Sequence, residues 1–145
     1  MKTEPESYGI EHLRKDTVTP WSGVRNFQAR NSMREMTPGD KVLFYHSSCK
    51  VPGVYGIAEV ASAPYPDPTQ FDSKSPYYDP KATKEKPVWD LVDVAFVREL
   101  ARPVTLAEIR ETQSLRSMII LQPGSRLSVT PVSPEHFKTI VSLGA

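Results

Sequence analysis

The chain has little of what most functional classes require. It carries one cysteine, Cys49, which excludes an intrachain disulfide framework and suits a reducing, cytoplasmic setting. It has no apolar run near the roughly 20 residues that a membrane-spanning helix needs, and no cationic start leading into an apolar signal core. A formal net charge of only +1 excludes a broadly basic coat for nucleic acid, while leaving room for a local basic groove. Glycine-rich phosphate loops, H-E-x-x-H, G-x-S-x-G and paired C-x-x-C motifs are all absent. His12, His46 and His136 fall in separate segments, so neither a metal site nor a cofactor is expected.

What is present describes one soluble domain spanning residues 1–145. Of the residues, 39% are hydrophobic and 24% charged, an ordinary globular balance. Proline is the compositional excess, with 14 in all. Pro64, Pro66, Pro68, Pro76, Pro80 and Pro87 lie in one segment, 63–87, interleaved with Tyr65, Phe71, Tyr77 and Tyr78. A loop that long is usually functional or disordered. The interleaved rings give this one anchors, so an ordered flap is expected.

Periodicity places the other elements. Residues 9–15 predict a short helix with Ile10 and Leu13 inward, and 24–36 a helix with Ala29, Met33 and Met36 on one face. Turn chemistry follows at Thr37-Pro38-Gly39-Asp40. Residues 41–46 and 54–60 read as strands apolar on each face, and 88–97 as a central, covered strand. Thr105 and Glu108 form a T-x-x-E capping box. Residues 118–121 and 127–132 predict further short strands. Ser133 and Pro134 open a last helix whose stripe is Phe137, Ile140 and Val141. Strands and helices that do not alternate regularly point to an α+β fold with a curved, mostly antiparallel sheet or small barrel.

Two candidate catalytic groupings weaken on inspection. Asp90 and Asp93, three apart on a predicted strand, point to opposite faces and do not make an acid–base pair. His46-Ser47-Ser48-Cys49 offers a Cys–His nucleophile, but no orienting group accompanies it. A polar strand end running into the turn at Pro52-Gly53 is the simpler reading.

The most informative stretch is Trp21-Ser22-Gly23-Val24-Arg25-Asn26-Phe27-Gln28-Ala29-Arg30-Asn31. A large ring beside free backbone N–H groups can stack on a flat polar ligand and hydrogen-bond its edge. Arg25, at the helix start, is placed either to meet a phosphate or ring edge or to anchor the loop. Arg30 and Arg34 share a helix face, which a solvated flank explains equally well. Trp21, on the residues alone, is more readily a core tryptophan than a binding platform.

This stretch also carries a resemblance. Together with Met1-Lys2-Thr3-Glu4-Pro5, Phe44-Tyr45-His46-Ser47-Ser48-Cys49, Gly53-Val54-Tyr55-Gly56-Ile57-Ala58-Glu59-Val60, Tyr65-Pro66-Asp67-Pro68-Thr69, Ser75-Pro76-Tyr77-Tyr78-Asp79-Pro80-Lys81 and Arg126-Leu127-Ser128-Val129, it resembles the EVE domain family. That family belongs to the PUA-like superfamily and is related to YTH domains. The ordered matches run through nearly the whole chain. The resemblance implies a PUA-like β-barrel flanked by short helices. Family members usually begin with an aromatic strand before the Met-Lys motif, so a shortened first strand or a misassigned start is expected here. Ser48 stands where the family commonly has asparagine, which would remove one amide contact.

For function, the resemblance implies binding rather than catalysis. Related domains hold one modified nucleobase between aromatic walls; EVE domains recognise modified cytosines in DNA, and YTH domains methylated adenine in RNA. It implies a wall role for Trp21 with Ser22 as its polar neighbour, and Val24, Arg25 and Asn26 as further ligand-binding residues. Ser47, Ser48, Tyr78 and Trp89 are implied as pocket lining. The expected partner is nucleic acid carrying a modified base, DNA before RNA, bound by a monomer. Two alternatives stay open: an RNA-binding PUA-like module acting on tRNA or rRNA, and an enzyme on a small nucleobase-like compound using Cys49 or His46. Trp21→Ala is expected to abolish ligand binding and spare the fold.

Overall fold

A computed structural model describes residues 1–124 and 126–145. Its strands are β1 (Lys2–Thr3), β2 (Val18–Pro20), β3 (Lys41–His46), β4 (Gly53–Val60), β5 (Tyr65–Pro66), β6 (Asp90–Leu91) and β7 (Asp93–Thr105). Its helices are α1 (Pro5–Tyr8), α2 (Ile10–Asp16), α3 (Phe27–Arg34), α4 (Leu106–Glu111) and α5 (Pro134–Leu143). Five strands make one sheet in the order β1-β3-β4-β7-β2, parallel only between β1 and β3. Register shifts in the β3–β4 and β4–β7 pairings bend the strands and tighten their twist. The sheet curls into a half-barrel, in keeping with the α+β, PUA-like expectation.

Both faces of this sheet are covered, because β3 alternates between two cores. Val42 and Phe44 join Trp21, Leu13, Ala29, Met33 and Val94 on one side. Leu43 and Tyr45 join Ile57, Leu100, Val104, Ile109 and Ile140 on the other. A period of two with apolar residues in each phase gives this result. Helix α2 closes on the sheet where β4 has no side chain: a Cβ at Gly56 would lie 2.5 Å from Ile10.

Several expected boundaries move, each for a local reason. Helix α3 starts at Phe27 rather than Val24, because Asn26 is extended (φ −124°, ψ 131°) and its side-chain oxygen caps the Gln28 and Ala29 N–H groups. Met36 lies past its end and is half-buried. The expected strand 88–97 divides at Val92. Trp89 and Leu91 are buried, and then Val92 and Val94 are, so the alternation slips by one residue. With that slip Asp90 and Asp93 both stay off the core, engaged by Arg34 and by the Tyr65 hydroxyl respectively. Residues 119–121 form a single 3-10 turn, since so short an apolar run fits a turn of helix as well as a strand. Residues 127–132 form no strand; Lys2 N–H reaches Ser128 O at 2.7 Å, but Pro131 has no N–H to continue a ladder. Thr105 caps α4 by accepting from Glu108 N–H, while the Glu108 carboxylate turns to Arg102 and not back to the cap.

The proline-rich flap is ordered, though polar groups rather than its rings hold it. Gln70 is fully buried. Its amide donates to Asp67 O and Trp89 O, both at 2.7 Å, and accepts from Val88 and Trp89 N–H at 2.9 and 2.8 Å. All four of its hydrogen-bonding positions are used. Tyr77 and Tyr78 remain 44% and 43% exposed.

Candidate functional site

The segment joining β2 to α3 runs against the core and then turns outward. Trp21 N–H donates to Val92 O at 2.9 Å. The indole is only 9% exposed, edge-on to Phe44 (centroids 5.6 Å) and Tyr8 (6.5 Å). It is a core residue, but it also borders a cleft of about 350 Å³. Tyr8 and Tyr77 supply two more rings to that cleft, and Thr3, Ser7, Thr19, Ser22 and Ser128 supply hydroxyls. Lys2 is the one cation in the lining, with burial holding its pKa below the ordinary lysine value. Burial and the hydrogen bond to Asp16 push the Tyr8 phenol up, so its hydroxyl stays protonated and donates to Asp16 Oδ2 at 2.8 Å.

A larger cavity, about 490 Å³, lies between the end of α3, β3 and residues 129–138. Its one ring is Phe137, so it has no pair of faces to hold a flat ligand. The Trp21 cleft is therefore the candidate site.

The mouth of the cleft is set by a buried clasp. Asp67 is fully buried; Oδ1 accepts from Thr69 N–H and Oγ1 at 2.8 and 2.6 Å, and Oδ2 from Gly23 N–H at 2.8 Å and Arg25 Nη1 at 3.1 Å. Burial pushes this carboxyl up, but the hydrogen bonds from Thr69, Gly23 and Arg25 outweigh it and hold the pKa below the ordinary value. Arg25 also donates to Tyr77 O from Nε and Nη2, to Val24 O and to Thr69 Oγ1. Its five N–H groups are all engaged, which leaves none for a phosphate or a base. Of the two roles the sequence offered, Arg25 takes the anchor. The flap's Tyr77 is thereby fixed against Gly23.

Of the sequence-predicted residues, the structure brings Trp21, Ser22 and Val24 together at the cleft. Arg25 stands behind it, in the clasp. Asn26 spends its side-chain oxygen on capping α3. Ser47 packs on Thr3 O, and Ser48, in the left-handed region at φ 52°, is exposed. Trp89 is buried with its indole N–H on Asp79, and Tyr78 lies on the outer surface; neither lines the cleft. Tyr8, Thr19 and Tyr77 do, and sequence reasoning passed over them. Only the Tyr77-Tyr78 pair in the flap points to one of them, and nothing in its spacing tells which ring turns to the cleft.

His46 is committed elsewhere. Its Nε2 accepts Ile10 N–H at 3.1 Å, and its ring stacks on Tyr55 at 4.0 Å. Burial lowers its pKa, against a smaller opposing pull from Glu11, and the bond requires a neutral Nε2. Among the described residues no hydrogen bond joins it to Cys49.

Comparison with known proteins settles the lineage. The EVE domain family model matches residues 1–143. The chain belongs to the EVE domain family. Human thymocyte nuclear protein 1 is 39% identical over 99% of this chain and 72% of its own length. A crystal structure of a Pseudomonas putida protein is 47% identical, covers 100% of this chain and 97% of that one, and superposes with a TM-score of 0.97. The crystal structure of human THYN1 protein in complex with 5-methylcytosine-containing DNA is 39% identical, covers 99% of this chain and 95% of that one, with a TM-score of 0.93. Among the described residues of this EVE domain, no helix is long and apolar enough to cross a membrane.

Proposed function

We propose that this EVE domain binds nucleic acid without catalysis, holding one modified base, a modified cytosine in DNA, in the Trp21 cleft. The observation that carries the reading is the cleft itself, with three rings and five serine and threonine hydroxyls around about 350 Å³. That size is at the small end of ligand pockets, which run from about 300 to 1,000 Å³, and suits a single ring rather than an extended ligand. The likeness to the human protein crystallised with 5-methylcytosine-containing DNA supports the choice of ligand. Extrusion of a base costs a few kcal/mol, and stacking on an aromatic wall returns about 1–3 kcal/mol. Trp21, Ser22 and Val24 are proposed as direct contacts, with Tyr8, Thr19 and Tyr77. The engagement of His46 by Ile10 N–H weighs against the enzyme alternative, and unpaired Cys49 favours a reducing, cytoplasmic setting.

The test is a titration of DNA oligonucleotides carrying one 5-methylcytosine, one 5-hydroxymethylcytosine or plain cytosine, beside an RNA of the same sequence. One buried methyl contributes about 0.8 kcal/mol, roughly a fourfold preference. A hydroxymethyl matched to a hydroxyl of the cleft gains more. Equal affinity for marked and plain DNA, or tighter binding of the RNA, would overturn the assignment.

A further inference from the structure

Phe27, the first residue of α3, is 57% exposed, more than any other large hydrophobic side chain among the described residues. Its inner face is pre-stacked on buried Trp89, with centroids 4.8 Å apart and planes 23° apart. The Arg30 guanidinium carbon lies 4.7 Å from the Phe27 centroid and 5.8 Å from that of Trp89. With the three separations between 4.7 and 5.8 Å, Arg30 lies over both rings on the same side of Phe27 as Trp89, and neither covers the ring's outer face.

The neighbouring charge also has no carboxylate within salt-bridge distance among the described residues. Arg30 donates to Asn31 Oδ1 and Val88 O, both neutral acceptors, whereas Arg34 beside it is paired with Asp90. Three of the five guanidinium N–H groups are used in this way, and the rest find no protein partner among the described residues. An open aromatic face next to a cation without an acidic partner matches how proteins hold single-stranded nucleic acid. The platform adjoins the cleft: Val24 lines it and Phe27 follows three residues on, at most about 10 Å away along the chain. A strand in duplex form advances about 3.4 Å per nucleotide, so nucleotides flanking an extruded base come within reach.

We propose that Phe27 and Arg30 form a second nucleic-acid contact, in which the open face of Phe27 stacks on a base flanking the one in the Trp21 cleft and Arg30 meets the adjoining phosphate. The inference rests on the reading of the cleft given above. It identifies a device that anchors the strand to one side of the mark, independent of the mark itself.

Anisotropy titrations with a labelled DNA oligonucleotide carrying one central 5-methylcytosine, and with versions holding an abasic site next to it on either side, test the proposal. Phe27→Ala weakens binding to the intact oligonucleotide by roughly five- to a hundredfold, the equivalent of about 1–3 kcal/mol of stacking, and Phe27→Trp preserves it. An abasic neighbour on the stacked side weakens the wild-type protein but costs Phe27→Ala nothing further. Arg30→Gln lowers the slope of log affinity against log salt by about one. Wild-type affinity in Phe27→Ala, or an equal loss from the abasic neighbour in both proteins, would overturn the platform while leaving the cleft standing. Failure of the wild-type protein to bind the marked oligonucleotide would sink both readings together.

Discussion

Gly23 and the Tyr77 ring are in direct apposition. A Cβ built on Gly23 would lie 2.7 Å from Tyr77 Cζ, and Gly23 holds φ at +88°. The positive φ gives the loop its turn towards α3, and the missing side chain lets the flap's ring close over the cleft.

Gly23→Ala therefore acts twice, through backbone strain and through displacement of Tyr77. The expected loss of stability is about 1–3 kcal/mol, measurable by urea unfolding, together with weaker binding of a marked oligonucleotide. Gly39→Ala is the control: its φ is +96°, and nothing lies within 4 Å of the added carbon. It carries comparable strain with unchanged affinity. If Gly39→Ala weakened binding as much as Gly23→Ala, the Tyr77 contact would not be the cause.

Trp21→Ala is expected to cost about 3–5 kcal/mol, because the indole is packed on Phe44 and Tyr8. The expectation that this variant loses binding and spares the fold gives way to loss of both. Tyr77→Ala separates the two effects, as its ring is 44% exposed. It retains a wild-type thermal midpoint and binds marked DNA about tenfold more weakly, the lower part of what one base–aromatic stack contributes. An unchanged affinity would remove Tyr77 from the site.

Asp67→Asn keeps the shape of the clasp but presents an amide to donors. Breaking a buried pair costs about 3–5 kcal/mol, and the lower end applies because Arg25 is partly exposed. The folded-state pKa of Asp67 is below its ordinary value. Its stabilisation is thus complete above about pH 3.9 and fades as pH falls through the lower folded value. Acid titration of unfolding free energy checks the sign: the wild-type protein loses this contribution below about pH 4, and Asp67→Asn has none to lose.

His46 gives a pH dependence at milder values. Its pKa is lowered by burial, so the unfolded chain takes up a proton that the folded one resists. Stability is complete above about pH 6.5 and declines as pH falls from there towards the folded value. Urea unfolding between pH 8 and 5 follows this decline. His46→Gln, which offers Ile10 N–H a non-titrating acceptor, flattens it. An identical decline in His46→Gln would transfer the effect to another group.

The elements legible in the sequence were those with their own punctuation. Pro134 after Ser133 opens α5 where expected, and alternating apolar residues fixed β3 and β4 with both faces covered. The cap at Asn26 was legible only in retrospect, since Asn is as good an acceptor for a helix as for a ligand. The strand near Val92 misled because both phases were apolar and concealed the slip. At the site, Trp21 and Ser22 stood out by residue type and spacing. Arg25 drew notice for its charge, but its partner Asp67 is 42 positions away, and no local pattern announces such a pair. Tyr8 and Thr19 reach the cleft from elements whose placement depends on the whole sheet.

The indole of Trp21 belongs at once to the hydrophobic interior and to the wall of the proposed cleft. A replacement there registers as unfolding before it registers as altered preference. Altered preference is therefore expected from the outer lip, where Ser22, Thr19 and Tyr77 lie outside the packed core.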